Sequence, residues 1–166
     1  DAVKFTNCPD VNIVGSTFRR NQGNGGGAVD LTTSSTLIDR CRFFGNSVRI
    51  ASSRGGAILT DEDTLTVTNS IFVGNTSMDD GAAISLRDNS VALFENCTVT
   101  ANVAEDGIGG VFPDSSSRST LLNSIVTGNI DLRPTSTPDW GGTGTTAAYT
   151  ASYSIVDTAN LAGGTF

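Results

Sequence analysis

Nine carboxylates in a few short stretches are the side chains best placed to do chemistry. Asp79 and Asp80 precede Gly81, and Glu105 and Asp106 precede Gly107 at the equivalent point one repeat later. Four carboxylates one or two strand spacings apart would repel one another unless a cation lay between them. Ca²⁺ takes six to eight hard oxygen ligands, so it is the ion these four residues would accept. A second stretch offers Asp61, Glu62 and Asp63, with Asp88 and Asp114 near the same corner of later repeats. Ordinary ion pairing is the competing account, because Arg54 occupies the matching turn one repeat earlier and Arg87 neighbours Asp88. Exposed pairs of that kind are common and contribute little.

Other chemistries have less to work with. The chain has no His, three Cys and a single Lys, Lys4. A His-dependent triad or a structural zinc site therefore lacks its parts. A lyase or epimerase needs a base for the proton beside a uronate carboxylate and a cation for the resulting enolate, which leaves Arg or Tyr. The nine arginines form no obvious row. Carboxylate pairs could hydrolyse a glycoside, but there are several pairs, and the aromatic platforms a sugar would need are few, with Trp140 and Tyr149 both in the tail. No catalytic residue is assigned. A net charge of −7 argues against binding phosphate backbones. There is no run of about 18 apolar residues and no basic-then-apolar start, so neither a membrane span nor a leader is expected.

The positions of these residues are set by repeats. Val11 to Asn21, Thr36 to Asn46, Leu65 to Asn75, Ala92 to Asn102 and Ser119 to Asn129 overlay, and their closing asparagines lie 25, 29, 27 and 27 residues apart. A second motif alternates with them: GGAV at Gly26 to Val29, GGAI at Gly55 to Ile58, GAAI at Gly81 to Ile84 and IGGV at Ile108 to Val111. β-Branched residues alternate with polar ones, and Gly, Asn and Asp punctuate them, as in short strands joined by turns. No repeat holds ten residues of helical spacing, which excludes a leucine-rich horseshoe. Three strands of about five residues with three turns fill the period. The expected fold is all-β, a parallel β-helix of five to six coils with three short strands per coil and about 4.8 Å between coils.

Stacking then arranges the side chains in columns. Phe18, Phe43, Phe72, Val99 and Val126 form one inward column, and Val29, Ile58, Ile84 and Val111 form another. Ser16, Cys41, Ser70, Cys97 and Ser124 form a third, which puts Cys41 and Cys97 two coils, about 10 Å, apart, beyond disulfide reach. Asn21, Asn46, Asn75, Asn102 and Asn129 make a structural ladder in which identical amides bond along the stack, in residues that tolerate left-handed turns. A ligand-binding row is the alternative. The glycine pairs Gly26/Gly27 and Gly55/Gly56 are expected at tight corners.

The FxxN motif at Phe18 to Asn21, Phe43 to Asn46 and Phe72 to Asn75, alternating with GGA[IV], resembles the repeat of chlamydial polymorphic outer-membrane proteins. It is also similar to that of bacterial surface proteins with pectate-lyase-like, right-handed parallel β-helices. The resemblance covers Val11 to Asn129, and in its last two coils Val99 and Val126 replace Phe. It implies a right-handed β-helix from an extracellular or surface protein. Such proteins include adhesins, autotransporter passengers and polysaccharide-active enzymes, so fold is better defined than function.

The expectation is one domain over residues 1–166. It has a lead-in strand at 1–10, regular coils at 11–130, a polar loop at 131–148 that folds across an end or flank, and a closing strand and tail at 149–166. Its role is that of a structural, adhesive or assembly module that requires no cofactor, the alternative being a polysaccharide-active enzyme or its binding fragment. Unpaired strand edges at the ends make further β-helix coils, from a longer chain or from copies of the same chain, the expected partners. Polysaccharide is a further candidate partner and nucleic acid is not.

Overall fold

The computed structural model describes residues 1–133, 139–142 and 148–156. All strand pairing between its named strands is parallel, and no helix occurs among the described residues. Four sheets run the length of a β-solenoid, with five, six, six and five strands; in chain order we call them A, B, C and D. The third coil shows the pattern: Ile58–Asp61 in A, Thr64–Thr68 in B, Ile71–Val73 in C and Thr76–Ser77 in D. Five full coils are followed by a partial sixth made of Trp140, Ala148–Ser152 and Ile155–Val156.

The coil therefore has four strands where three were expected. The extra strand, in sheet D, is two residues long, too short to carry an alternating pattern legible in sequence. The B–C and C–D corners, and the A–B corners of the first four coils, turn on residues with positive φ. At the B–C corner these are Gly15, Arg40, Asn69, Asn96, Asn123 and Tyr153, and at the C–D corner Arg20, Gly45, Gly74, Ala101 and Gly128. The ladder asparagines follow the C–D corner and have no positive φ themselves, so left-handed geometry is not why Asn is used there.

Register places the columns side by side. Phe18 pairs with Phe43, Phe43 with Phe72, Phe72 with Val99 and Val99 with Val126. The first three rings stack nearly parallel with centroids 4.9 and 4.6 Å apart. On sheet A, Val3, Val29, Ile58, Ile84 and Val111 follow one another. Trp140, fully buried, ends this column as an isolated parallel bridge to Val111 and donates its indole N–H to Ser119 Oγ at 2.8 Å.

Sheet A is covered on its outer face as well. The connections from D to A, which carry the GGA motifs, fold back across it, burying Asp30, Ser85 and Phe112 on the side away from the core. The close approach requires glycine: a Cβ at Gly56 would lie 2.3 Å from the Ala82 carbonyl oxygen of the next coil.

Candidate functional site

The asparagine ladder is continuous through the C–D corner. From Asn46 onward, each amide oxygen accepts two hydrogen bonds from the preceding coil, one from the backbone N–H and one from the side-chain amide. Asn21 donates both to Asn46 at 3.0 and 2.9 Å, Asn46 both to Asn75, Asn75 both to Asn102, and Asn102 both to Asn129. The second amide hydrogen goes back to a carbonyl one coil earlier, from Asn46 to Phe18, Asn75 to Phe43, Asn102 to Phe72 and Asn129 to Val99. Asn46, Asn75 and Asn102 are wholly buried, which leaves no face for a ligand. The last rung is Asp139, whose Oδ1 accepts from the Asn129 backbone and amide at 2.8 and 2.7 Å. A carboxylate accepts without donating, so it ends the row. Asp139 lies ten residues after Asn129, off the repeat spacing, and nothing in the periodicity marks it.

Two further columns use the same device with hydroxyls and thiols. Ser16 N–H donates to Cys41 Sγ, Cys41 N–H to Ser70 Oγ, and Cys97 N–H to Ser124 Oγ. The three cysteines are free, and burial pushes the Cys97 thiol up to about 11. At the A–B corner, Cys8 N–H donates to Ser34 Oγ and Asp63 N–H to Ser90 Oγ. Asp63 thus stands in a column where the first coil has Cys8 and the neighbouring coils have Ser34 and Ser90. It is 2% exposed, and neither carboxylate oxygen has a hydrogen bond of normal geometry, although the Ser34 N–H nearby favours its charged form. Burial pushes its pKa to about 7. In the sequence Asp63 belongs with Asp61 and Glu62 to one acidic loop; in the fold the left-handed Glu62 between them turns Asp63 inward.

The acids expected to hold Ca²⁺ meet arginines. Arg54 Nε lies 3.1 Å from Asp79 Oδ2, and its Nη2 lies 3.5 Å from Asp80 Oδ2. The same guanidinium sits 5.1 Å above the Phe112 ring. Asp80 also accepts from Ile108 N–H, and burial is the main cause that raises its pKa. Asp106 pairs with Arg133. Glu105, Asp106, Asp79 and Arg133 line an open groove of about 360 Å³ with Ala51, Ser52 and Met78. An adjoining depression of about 540 Å³ along sheet D adds Arg49, Val103 and Leu132. Among the described residues no three of His, Cys, Asp or Glu are placed to share a metal ion, so Asp79, Asp80, Glu105 and Asp106 do not form the expected set. The arginine of the preceding coil takes the place given to the cation. Trp140, considered as a sugar platform, is buried in the stack.

At the A–B corner, Asp61 and Asp88 approach each other, and the Asp61 pKa is raised, by burial first and then by the Asp88 charge. Asp114 accepts from Asp88 N–H, Ser116 and Ser117.

Four parallel sheets wound around ladders of identical side chains define a β-helix. Residues 1–159 match the family described as the right-handed β-helix region, and the chain belongs to that family. Its relatives include the metabotropic glutamate receptor-like protein R of Dictyostelium discoideum, 33% identical over 103 residues, covering 60% of this chain and 6% of that protein. Another is the probable outer membrane protein pmp20 of Chlamydia pneumoniae, 36% identical over 104 residues, covering 53% of this chain and 6% of that protein. The matched region is thus a small part of the length of these relatives. No solved structure matches it significantly. One distant relative is an outer membrane protein, and neither of the two is named as an enzyme, although β-helices also occur among enzymes.

Proposed function

We propose that the chain is an extracellular or cell-surface β-helix module with a structural, adhesive or assembly role. The observation that carries this is the unbroken ladder from Asn21 to Asp139, bonded inside a stack of aromatic and aliphatic columns. Such a spine gives a stiff rod whose turns can vary without disturbing the core. The likeness to an outer membrane protein supports placing it at the cell surface. The second reading, a polysaccharide-active β-helix, draws on the groove in which Asp79, Glu105 and Asp106 converge with Arg133. Ion pairing of three of these four groups weighs against it.

A direct test displays the chain on bacterial cells through an inert anchor. Adhesion to surfaces above that of cells carrying the anchor alone is expected, with no cleavage of polysaccharides. Release of reducing ends or unsaturated uronates from a polysaccharide panel would favour the enzyme, and unchanged adhesion would remove the adhesive role.

A further inference from the structure

The charge of this chain is divided along the rod. Residues 1–54 hold seven of the ten cations but four of the seventeen acids, a net charge of +3, against −10 for the remainder. Lys4, Arg40 and Arg54 are ion-paired, and Arg19, Arg20, Arg42 and Arg49 have no ion pair among the described residues. Arg19 and Arg42 project from the outer face of sheet C on neighbouring strands, offset by two residues, which separates their backbones by about 7–8 Å. Arg20 occupies the adjoining C–D corner. All three are exposed, and no ion pair holds any of them among the described residues. Half-buried Phe44, Ile71 and Val73 continue the same outer face.

The excess negative charge lies elsewhere. Asp61, Glu62, Asp88 and Asp114 follow one another at the A–B corner of coils three to five, and Arg87 offsets one of them through a 3.5 Å pair with Asp88. Because the chain passes A, B, C and D in turn, the width of sheet B separates the A–B corner from the outer face of sheet C and the C–D corner beyond it. One chain cannot bring its own basic patch to its own acidic ridge.

We propose that the surface formed by Arg19, Arg20 and Arg42 docks a second copy of this chain, side by side and shifted along the axis, on the ridge of Asp61, Glu62 and Asp88. The inference narrows the assembly role proposed above and rests on it. The two contacting patches differ, so the contact is heterologous: each copy keeps one patch of each kind free, and the association propagates as an open row. Complementary charge brings copies together in this orientation and disfavours pairing of like corners. Since exposed ion pairs are individually weak and screened by salt, the contact is expected to be reversible and lost at high ionic strength.

The experiment is analytical ultracentrifugation of the chain from about 10 μM to about 1 mM, in roughly 20 mM and 500 mM salt, where the Debye length falls from about 20 Å to about 4 Å. The weight-average mass should rise with concentration at low salt and stay monomeric at high salt. The triple variant R19E/R20E/R42E, reversed at exposed positions, should remain monomeric throughout, as should D61R/E62R/D88R; circular dichroism confirms that each is folded. Equimolar mixing of the two variants should restore association, because each then meets an opposite charge. The inference is overturned by a wild-type chain that stays monomeric at about 1 mM and low salt. Association that survives either reversal, or no association on mixing two folded variants, would overturn it as well. A monomeric wild-type chain that binds inorganic polyphosphate through the three arginines would assign the patch to a polyanion instead. Adhesion of displaying cells without association in solution would remove this inference and leave the module standing.

Discussion

Replacing Asp63 by Ser should stabilise the protein, and by an amount that depends on pH. Asp63 is a carboxyl group at a buried corner where Ser34 and Ser90 occupy the neighbouring coils. Ser90 shows what the position asks for: its Oγ accepts from Asp63 N–H at 3.1 Å and donates to the Arg87 carbonyl at 2.6 Å. Asp63 has no such satisfaction, and its pKa is raised from 3.8 to about 7. With the folded value above the unfolded one, the folded state binds more protons between about pH 4 and 7, so stability falls as pH rises through that window and levels off above it. Every tenfold gain in proton affinity on folding is worth about 1.36 kcal/mol, so ionised Asp63 costs the folded state about 4 kcal/mol at most. In urea unfolding between about pH 3 and 8, Asp63→Ser should therefore gain on the wild type by up to about 1.4 kcal/mol for each step of one in pH, until about pH 7. Near pH 3, where Asp63 is largely neutral in both states, the two proteins should differ by about 1 kcal/mol or less. A stability difference that stays flat across this range would refute the account of Asp63 as a buried, unsatisfied acid. So would a variant that is less stable than wild type at about pH 8.

Asn75→Ala strips the acceptor from Asn46 N–H and Nδ2 and a donor from Phe43 O, all buried. It should cost about 3 kcal/mol or more by thermal or chemical unfolding, at about 1–3 kcal/mol per orphaned group; intact stability would show the ladder to be dispensable. Phe72→Ala, which opens a cavity beneath the ring stacked 4.6 Å from Phe43, should cost about 3–5 kcal/mol in the same assay. Ala101 holds φ +55° where other coils have Gly45, Gly74 and Gly128. Ala101→Gly relieves about 1–2 kcal/mol of left-handed strain and loses about 0.4–1 kcal/mol through the unfolded chain, so a net gain near 0.5–1 kcal/mol should raise the melting temperature.

What is legible in the sequence is whatever repeats. Phe18, Phe43 and Phe72, or Asn46, Asn75 and Asn102, recur because each coil offers its neighbour the same environment, and pairing like with like recovers the register residue by residue. Features that break the repeat are illegible for the same reason. Sheet D contributes two residues per coil, too few to show alternation. Asp139 and Trp140 enter the stack ten and eleven residues beyond Asn129 and complete two columns that the repeat period assigns to nothing. The acids are visible but their directions are not. A single left-handed residue, Glu62, sends Asp61 and Asp63 to opposite sides of the corner, and charge alone carries no trace of that turn.

The two ends of the ladder behave differently, and hydrogen-bond polarity explains why. Every asparagine between the ends accepts two hydrogen bonds and donates two through its amide, so each rung needs a coil on both sides. At the later end Asp139 Oδ1 accepts from Asn129, and Trp140 beside it closes the sheet A column with a large buried ring. At the earlier end Asn21 and Phe18 are only partly covered: Phe18 has Phe43 on one face, and Asn21 donates to Asn46 as the first rung. An amide can pass a hydrogen-bonded row onward in both directions, whereas a carboxylate can only receive it. End-on addition of an F-x-x-N coil is therefore chemically matched at Asn21 and mismatched at Asp139. Copies of this chain would bring Asp139 to Asn21, a carboxyl group that when ionised only accepts, where the Asn21 carbonyl needs donors. That mismatch disfavours head-to-tail stacking of identical copies, so the side-by-side contact proposed above rests on the long sides, where arginines and carboxylates are complementary.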